Sequence, residues 1–329
     1  MTGGTDEGLD VVITWVDESD PAWQEQLRQY RPSSSSPEHQ ISGPRFRDPG
    51  LLTYVLRSLE RYYPEMRKIW LVTSGHKPDW LDLQAPDIEL VSHADLFPER
   101  AHLPTFNSMA IECHLHRISG LRGPFLYFND DVMLLARLTP DQFLSGDGGH
   151  VVPLENFPMP SSLVRGETVD RSLAYTGLLL QERFGHLEPG LLVAHGPQIY
   201  DPRWMNYLWQ QWPNELARTS CRRFRQTDCV ALRYLYYYTL LHCPAHQRPA
   251  FSVAASYPVR MISSDDLRVV LTREESENVR KSMAEIAVSE PQYLCINDDE
   301  ANEVDGRQKM GFLLDWLKSR LPEPSRWEL

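Results

Sequence analysis

Positive charge, long apolar runs and paired cysteines are all scarce in this 329-residue chain, and each scarcity removes a class of protein. Thirty-three basic residues stand against 45 acidic ones, a net charge of -12 that opposes general attraction to nucleic-acid phosphates or anionic lipid. No nucleic-acid partner is expected. No stretch approaches the ~18 apolar residues needed to cross a bilayer, and patches such as Leu178-Leu179-Leu180 are brief, so no integral membrane segment is expected. The opening MTGGTDEGLD is acidic and lacks the basic-then-apolar order of a secretory leader; the expected location is the cytoplasm, peripheral to a membrane-bound pathway. Cys113, Cys221, Cys229, Cys243 and Cys295 are odd in number and form no CxxC, which speaks against a disulfide framework or a thiolate zinc site.

What is present is apolar bulk. Hydrophobic residues make up 42% and aromatics 10%, with 9 Trp and 14 Tyr, enough for a packed core. The expected organisation is one domain over residues 1–329, with an α/β half over about 9–150 and a mostly helical half over about 151–329. Val11-Val12-Ile13-Thr14-Trp15-Val16, Ile69 to Thr73, Ile88 to Val91 and Phe125 to Phe128 read as buried strands. Leu52, Val55, Leu56 and Leu59 recur at helical spacing behind an Asp48-Pro49 start, and Ile111, Leu115 and Ile118 mark another helix. Strand, helix, strand order predicts an α/β fold with a mainly parallel sheet. Trp204 to Leu216 and Cys229 to Leu241 read as core-facing helices, and Pro32 to Pro37 as a loop.

Two of these strands run into acid: the first into Asp17-Glu18-Ser19-Asp20, the fourth into Asn129-Asp130-Asp131. Ligands of open α/β sheets bind outside the carboxyl ends of the strands, so both clusters are expected in one cleft. Adjacent carboxylates suit a hard divalent cation, Mg²⁺ or Mn²⁺, bound by Asp130 and Asp131 together with ligand phosphates. The bland alternative is an Asx-type turn. Asn107 or Ser108 can cap a helix or face an anion, while His114 and His116, two apart, diverge on a helix and are discarded as ligands. His195, between Leu191 to Ala194 and Gly196-Pro197, suits proton transfer by its ordinary pKa near 6.5. Arg222, Arg223 and Arg225 form a basic patch in an acidic chain and offer a guanidinium fork for phosphate. Asn297-Asp298-Asp299 repeats the strand-then-acid pattern.

The order of these blocks carries more than any one of them. DVVITWVDESDP, then RFRDPGLLTYVLRSLERYYPEMRKIWLVTSG and LPTFNSMAIECHLHRISGLRGPFLYFNDDVML, resemble the first two conserved regions of the Stealth family. LLVAHGPQIYDPRWMNYLWQQWPNELARTSCRRFRQTD resembles the third and YLCINDDEAN the fourth. The family comprises phosphotransferases of microbial capsule and exopolysaccharide synthesis, related to the eukaryotic GlcNAc-1-phosphotransferase. The resemblance implies a Rossmann-like, glycosyltransferase-A-like core with a helical second half. It implies transfer of a sugar 1-phosphate from a nucleotide sugar, such as UDP-GlcNAc or another UDP-hexose, to a glycan hydroxyl, with release of a nucleoside monophosphate.

Carried over block by block, the resemblance makes His195, Arg225 and Asp130 catalytic and places Asp130 and Asp131 on the metal. Asp17, Asp20, Arg57, Asn107, Asn297 and Asp298 would line the donor site. Charge logic gives Arg225 the non-bridging phosphate oxygens and His195 or Asp130 the acceptor's proton. The rivals are a metal-dependent glycosyltransferase releasing nucleoside diphosphate, and a non-catalytic sugar-binding protein whose Trp204, Trp209 and Trp212 stack on rings.

Overall fold

The computed structural model describes residues 8–31, 46–252, 254 and 256–329; the loop expected over Pro32 to Pro37 and the opening seven residues lie outside them. The first half is built on β1 (Asp10–Thr14), α1 (Pro21–Tyr30), α2 (Leu51–Tyr62), β2 (Ile69–Thr73), β3 (Ile88–Ser92), α3 (His93–Leu96), α4 (Ser108–Glu112) and β4 (Phe125–Asn129). Val11, Val12, Ile13, Ile69, Leu71 and Val72 have no solvent exposure, because β-branched and leucine side chains cover both faces of a central strand. Each such side chain contributes about 1.5–3 kcal/mol on burial.

These strands form a sheet of order β3-β2-β1-β4, all parallel, closed by the antiparallel edge strand β8 (Gln198–Tyr200). The chain winds outward from β1 to β3 and then returns to the other side of β1. That reversal opens a crevice between the carboxyl ends of β1 and β4, where Thr14 pairs with Asn129.

The second half is helical as expected, but it also carries two small sheets. After β5 (Val132–Leu134), which ends the first half, come β6 (Val152–Pro158), α5 (Thr168–Phe184), β7 (Leu191–Val193), α6 (Pro202–Gln211), α7 (Pro213–Cys221) and α8 (Leu232–His242). β9 (Val259–Ile262), β10 (Leu267–Leu271), α9 (Ser276–Ser289), β11 (Tyr293–Asn297) and α10 (Glu303–Arg320) follow. One sheet has the order β10-β11-β5, the other β7-β6-β9. The sheet containing β11 therefore binds residues near the C-terminus to the segment just after β4, and so brings Asn297 to the crevice.

Three expectations about helices change. The helix expected across Trp204 to Leu216 is two helices, because Pro213 has no N–H for the ladder and its ring cannot continue α6. The helix expected through Ile111 and Ile118 is the single turn α4 followed by a 3₁₀ turn at Leu115–Arg117. The start of α2 falls at Gly50, whose φ of 90° suits glycine, while the Asp48 carboxylate accepts from the Gly50 N–H at 2.8 Å. Among the described residues no helix is long and apolar enough to cross a membrane.

Candidate active site

A cleft of about 600 Å³ opens at the crevice between β1 and β4. β4 ends at Asn129, so Asp130 and Asp131 turn out of the sheet at its mouth. Asp130 accepts a hydrogen bond from the Val16 N–H just beyond β1. Asp131 takes a thiol hydrogen bond from Cys295 on β11, and its main-chain oxygen accepts from the Ile296 N–H at 3.0 Å. Three strands thus converge on two adjacent carboxylates. Burial pushes both carboxyls up, and for Asp130 the nearby charges of Asp131 and Asp48 add to the rise.

His195 follows β7 and joins the same cleft. Its Nδ1 is 2.7 Å from Arg233 Nη1, its Nε2 is 3.4 Å from the Asn129 amide nitrogen, and its main-chain N–H donates to Glu155 at 3.2 Å. Burial, then Arg233 and Arg225, lower its pKa to about 3, so the ring is neutral. Arg225 donates from Nη2 to the Ser108 hydroxyl at 2.6 Å and lines the cleft. Glu112, at the end of α4, faces the same Arg233 and Arg225; burial pushes its carboxyl up against their pull.

The C-terminal acids also arrive, but partly engaged. Asp298 receives a fork from Arg47, Nε at 3.0 Å and Nη2 at 2.9 Å. Asn297 lines the cleft, and its carbonyl accepts from the Thr272 N–H at 3.1 Å. One wall is aromatic: Trp23, Phe46, Phe106 and Phe224 form a cluster apart from the main core, with Phe106 and Phe224 stacked 5.1 Å apart.

The remaining expected donor-site residues stand elsewhere, each for a local reason. Asp17 folds back on Ser19, accepting from its N–H at 2.7 Å and its hydroxyl at 2.6 Å in an Asx-type turn. Asp20 caps α1 through the Trp23 N–H at 2.7 Å. Asn107 is fully buried: it caps α4 through the Met109 N–H at 3.1 Å and donates to the Arg222 carbonyl at 2.9 Å. It bears on Arg225 by holding that segment. Arg57 lies in a bidentate pair with Glu328, 2.9 and 2.6 Å, behind α2. None of the four lines the cleft. Trp204 and Trp212 are buried in the core, so neither offers an open face for a sugar ring.

Glu112 and Arg233 are the site residues that strand-end reasoning misses. Each is a lone charge inside an apolar stretch, Met109-Ala110-Ile111 before one and Leu232 to Leu241 around the other, and an isolated charge on a buried element is the available signal.

Whether the cleft suits a cation is testable from its donors. Among the described residues eight carboxylates and four guanidinium groups line it, and Arg47 and Arg273 are already paired with Asp298 and Asp299. The Asp131 Oδ1 atom is buried without a hydrogen-bond partner. An orphaned carboxylate oxygen beside a second raised carboxyl fits a hard divalent cation. Ligand atoms of Asp131, His195 and Cys295 also lie within 4.8 Å of one another. Burial and Asp131 push the Cys295 thiol well up, so it remains S–H and donates to Asp131.

Fold and site together define a doubly wound α/β protein with an acid- and arginine-lined ligand cleft at its switch point. Stealth protein conserved regions 1, 2 and 3 match residues 7–40, 45–152 and 194–240. The chain belongs to the Stealth family. It is 32% identical over 326 residues to "Exopolysaccharide phosphotransferase SCO2594" of Streptomyces coelicolor, covering 97% of this chain and 51% of the relative. It is 31% identical over 333 residues to "Capsular polysaccharide phosphotransferase SacB" of Neisseria meningitidis serogroup A, covering 97% and 57%. The chain spans about half the length of these curated relatives. Among solved structures, the galactosyltransferase LgtC aligns at TM-score 0.43 and 11% identity, covering 92% of this chain and 96% of that one. The WbbM bifunctional glycosyltransferase aligns at 0.45 and 10%, covering 98% and 53%.

Proposed function

We propose that this chain transfers a sugar 1-phosphate from a nucleotide sugar, a UDP-hexose such as UDP-GlcNAc, to a glycan hydroxyl. The observation that carries the reading is the meeting of Asp130, Asp131, His195 and Arg225 in one cleft, although they lie up to a third of the chain apart. The names of the relatives, exopolysaccharide and capsular polysaccharide phosphotransferase, support a phosphate-bearing sugar as cargo and a glycan as acceptor. The cleft volume suits a ligand of that size, and the aromatic cluster gives one wall an apolar lining.

The acceptor oxygen forms a bond to the sugar-bearing phosphorus while the bond from that phosphorus to the bridging oxygen breaks. The nucleoside monophosphate departs with the bridging oxygen. Asp130 and Asp131 would hold Mg²⁺ or Mn²⁺, which when bound supplies neutralisation of the diphosphate charge. Arg225 pairs with non-bridging oxygens through its unused N–H groups, a role in which an arginine contributes on the order of 10³ in rate. The acceptor's proton goes to a carboxylate. Glu112 suits this best, since it lies buried beside Arg225 and Arg233, burial makes its carboxylate the stronger base, and the cation does not need it. His195, neutral and beside Asn129, faces the reacting phosphate.

The test is a panel of nucleotide sugars with Mg²⁺ and a glycan acceptor, reading the nucleotide released. Nucleoside monophosphate together with a phosphodiester product is the expected result. Nucleoside diphosphate as the sole product would replace this reading with glycosyl transfer, and binding without turnover would replace it with a sugar-binding role.

A further inference from the structure

We propose that Arg233 is a positioning residue that locks His195 in its Nε2–H form, so that the ring meets its ligand as a hydrogen-bond donor. Arg233 is the second residue of α8, and its Nη1 lies 2.7 Å from His195 Nδ1 and 3.2 Å from the Ala194 carbonyl oxygen. A guanidinium carries only N–H donors and does not deprotonate, so the atom facing it must present a lone pair. A neutral imidazole has one N–H, and with Nδ1 accepting, that N–H is on Nε2. Both other forms of the ring, the Nδ1–H tautomer and the imidazolium, would set N–H against N–H across 2.7 Å.

The lock is anchored on every side. Arg233 also lies over the Tyr234 ring, 5.5 Å from its centroid, and faces the Glu112 carboxylate, which balances its charge. Glu155 accepts from the His195 main-chain N–H and so fixes the backbone from which the ring projects. Arg225 adds a second positive charge near the ring and opposes its protonation. Side chains from α4, α8 and β6 thus hold the arginine and the histidine in place, and the 2.7 Å contact between them sets the ring state.

The consequence falls on the chemistry. Nε2 faces the Asn129 amide at the carboxyl end of β4, beside the Asp130-Asp131 pair; the 3.4 Å neighbour is the amide nitrogen, a donor, so the stronger 2.7 Å contact with Arg233 sets the tautomer and the Asn129 amide turns its oxygen to Nε2–H. At that place Nε2–H can donate to a phosphoryl or leaving oxygen, and it has no lone pair with which to take the acceptor's proton. The same lone-pair direction bears on the Asp131, His195 and Cys295 cluster. A histidine that ligates a metal turns a lone pair to it and donates its other N–H outward, whereas here the lone pair faces a cation. That cluster is accordingly a hydrogen-bonding group, not a zinc cage. The role given to the N–H rests on the phosphoryl-transfer reading; the ring state itself does not.

The lock is tested first without substrate. In protein labelled with ¹⁵N at histidine, with His195 assigned by its loss in His195→Gln, long-range proton–nitrogen correlation at neutral pH should show a protonated Nε2 and an accepting Nδ1. Arg233→Lys, which also only donates, should keep that pattern, and Arg233→Met should shift it toward the Nδ1–H form. An Nδ1–H or imidazolium pattern in the unaltered protein overturns the proposal, and so does an unchanged pattern in folded Arg233→Met. If that variant fails to fold, the unaltered protein and Arg233→Lys still decide. In turnover, Arg233→Met should lower kcat about 10–100-fold with KM within about threefold, and Arg233→Lys should recover most of the loss. A change confined to KM overturns the positioning role. If the nitrogen pattern holds and no nucleotide sugar is consumed, the proposed reaction falls and the lock stands.

Discussion

The latch behind α2 and the cleft at the end of β4 are built from the same guanidinium and carboxylate groups, but the latch is a closed pair while the cleft, beside its paired Arg47 and Arg273, keeps groups open. Arg57 gives both arms of its fork to Glu328 and a further N–H to the Leu321 carbonyl at 3.0 Å. Glu328 in turn accepts from the Ser325 N–H at 2.7 Å. In the cleft, Arg225 makes one hydrogen bond among the described residues, and Asp131 keeps an oxygen with none. Buried polar groups are normally paired, since leaving one unpaired costs about 1–3 kcal/mol. A closed ion pair therefore marks scaffold. An open one in a cleft marks capacity held for a ligand.

The sharpest way to break this contrast is to remove one arginine from each region. Arg225→Ala should lower kcat on the order of 10³-fold, while stability changes by less than about 1 kcal/mol because it relinquishes a single hydroxyl bond. Comparing turnover with thermal melting checks both halves; a large loss of Tm with unchanged kcat would erase the distinction. Arg57→Ala should do the reverse, costing about 3 kcal/mol, roughly 6 °C in Tm, with kcat of the folded fraction unchanged. Its pH dependence has a definite sign. Burial pushes the Glu328 carboxyl up, but the bonds from Arg57 and the Ser325 N–H outweigh it and hold the pKa below the usual 4.5. The latch is thus fully present above about pH 4.5 and is lost as pH falls through the lower folded value. The Tm gap between parent and Arg57→Ala should close in that acid range.

How much of this could be read in advance follows the same line between scaffold and site. The parallel strands were legible because Val11-Val12-Ile13 and Ile69 to Val72 are apolar on both faces, and the acids at their ends were legible because strands must stop. α5 was not, since its buried face sets only Leu173 and Leu180 among Thr168, Ser172, Ala174, Thr176 and Gly177, small side chains that leave a thin apolar stripe, packed against α8. β6 and β9 were hidden because their pairing joins Val152 to Val259, a partnership with no local signature. Within the site, acidity marks a candidate, but only packing distinguishes Asp17 in its own turn from Asp131 in the cleft.

The contrast also predicts a stability gain. The Asp131 carboxyl is raised by burial, so the native state binds a proton more readily than the unfolded chain and stability falls as pH rises through the folded value. Asp131→Asn removes that penalty. In metal-free protein the variant should melt higher than the parent at pH 7 by roughly 1–2 kcal/mol, with no advantage near pH 4, while turnover collapses. Saturating Mg²⁺ should raise the parent's Tm and leave the variant's unchanged, so calorimetry with and without EDTA reads both effects. Equal Mg²⁺ stabilisation of the two would move the cation away from Asp131.

The smallest expected effect separates a cap from a ligand. Asp20 accepts from the Trp23 N–H, and Trp23 is the residue by which α1 joins the aromatic wall. Asp20→Ala should therefore cost about 1 kcal/mol, roughly 2 °C in Tm, through one lost N-cap. If capping is its whole role, Asp20→Asn and Asp20→Ser should restore that loss, because an amide or hydroxyl oxygen serves the same N–H, and KM for the donor should stay within about threefold in all three. A carboxylate that touched the donor would behave differently. Asp20→Asn would then keep the Tm and lose affinity about tenfold or more, since a charge-assisted hydrogen bond is roughly twice as strong as a neutral one. Asp20→Asn thus melts like the parent on either account, and its KM alone decides whether the residue belongs with the closed pair or with the open one.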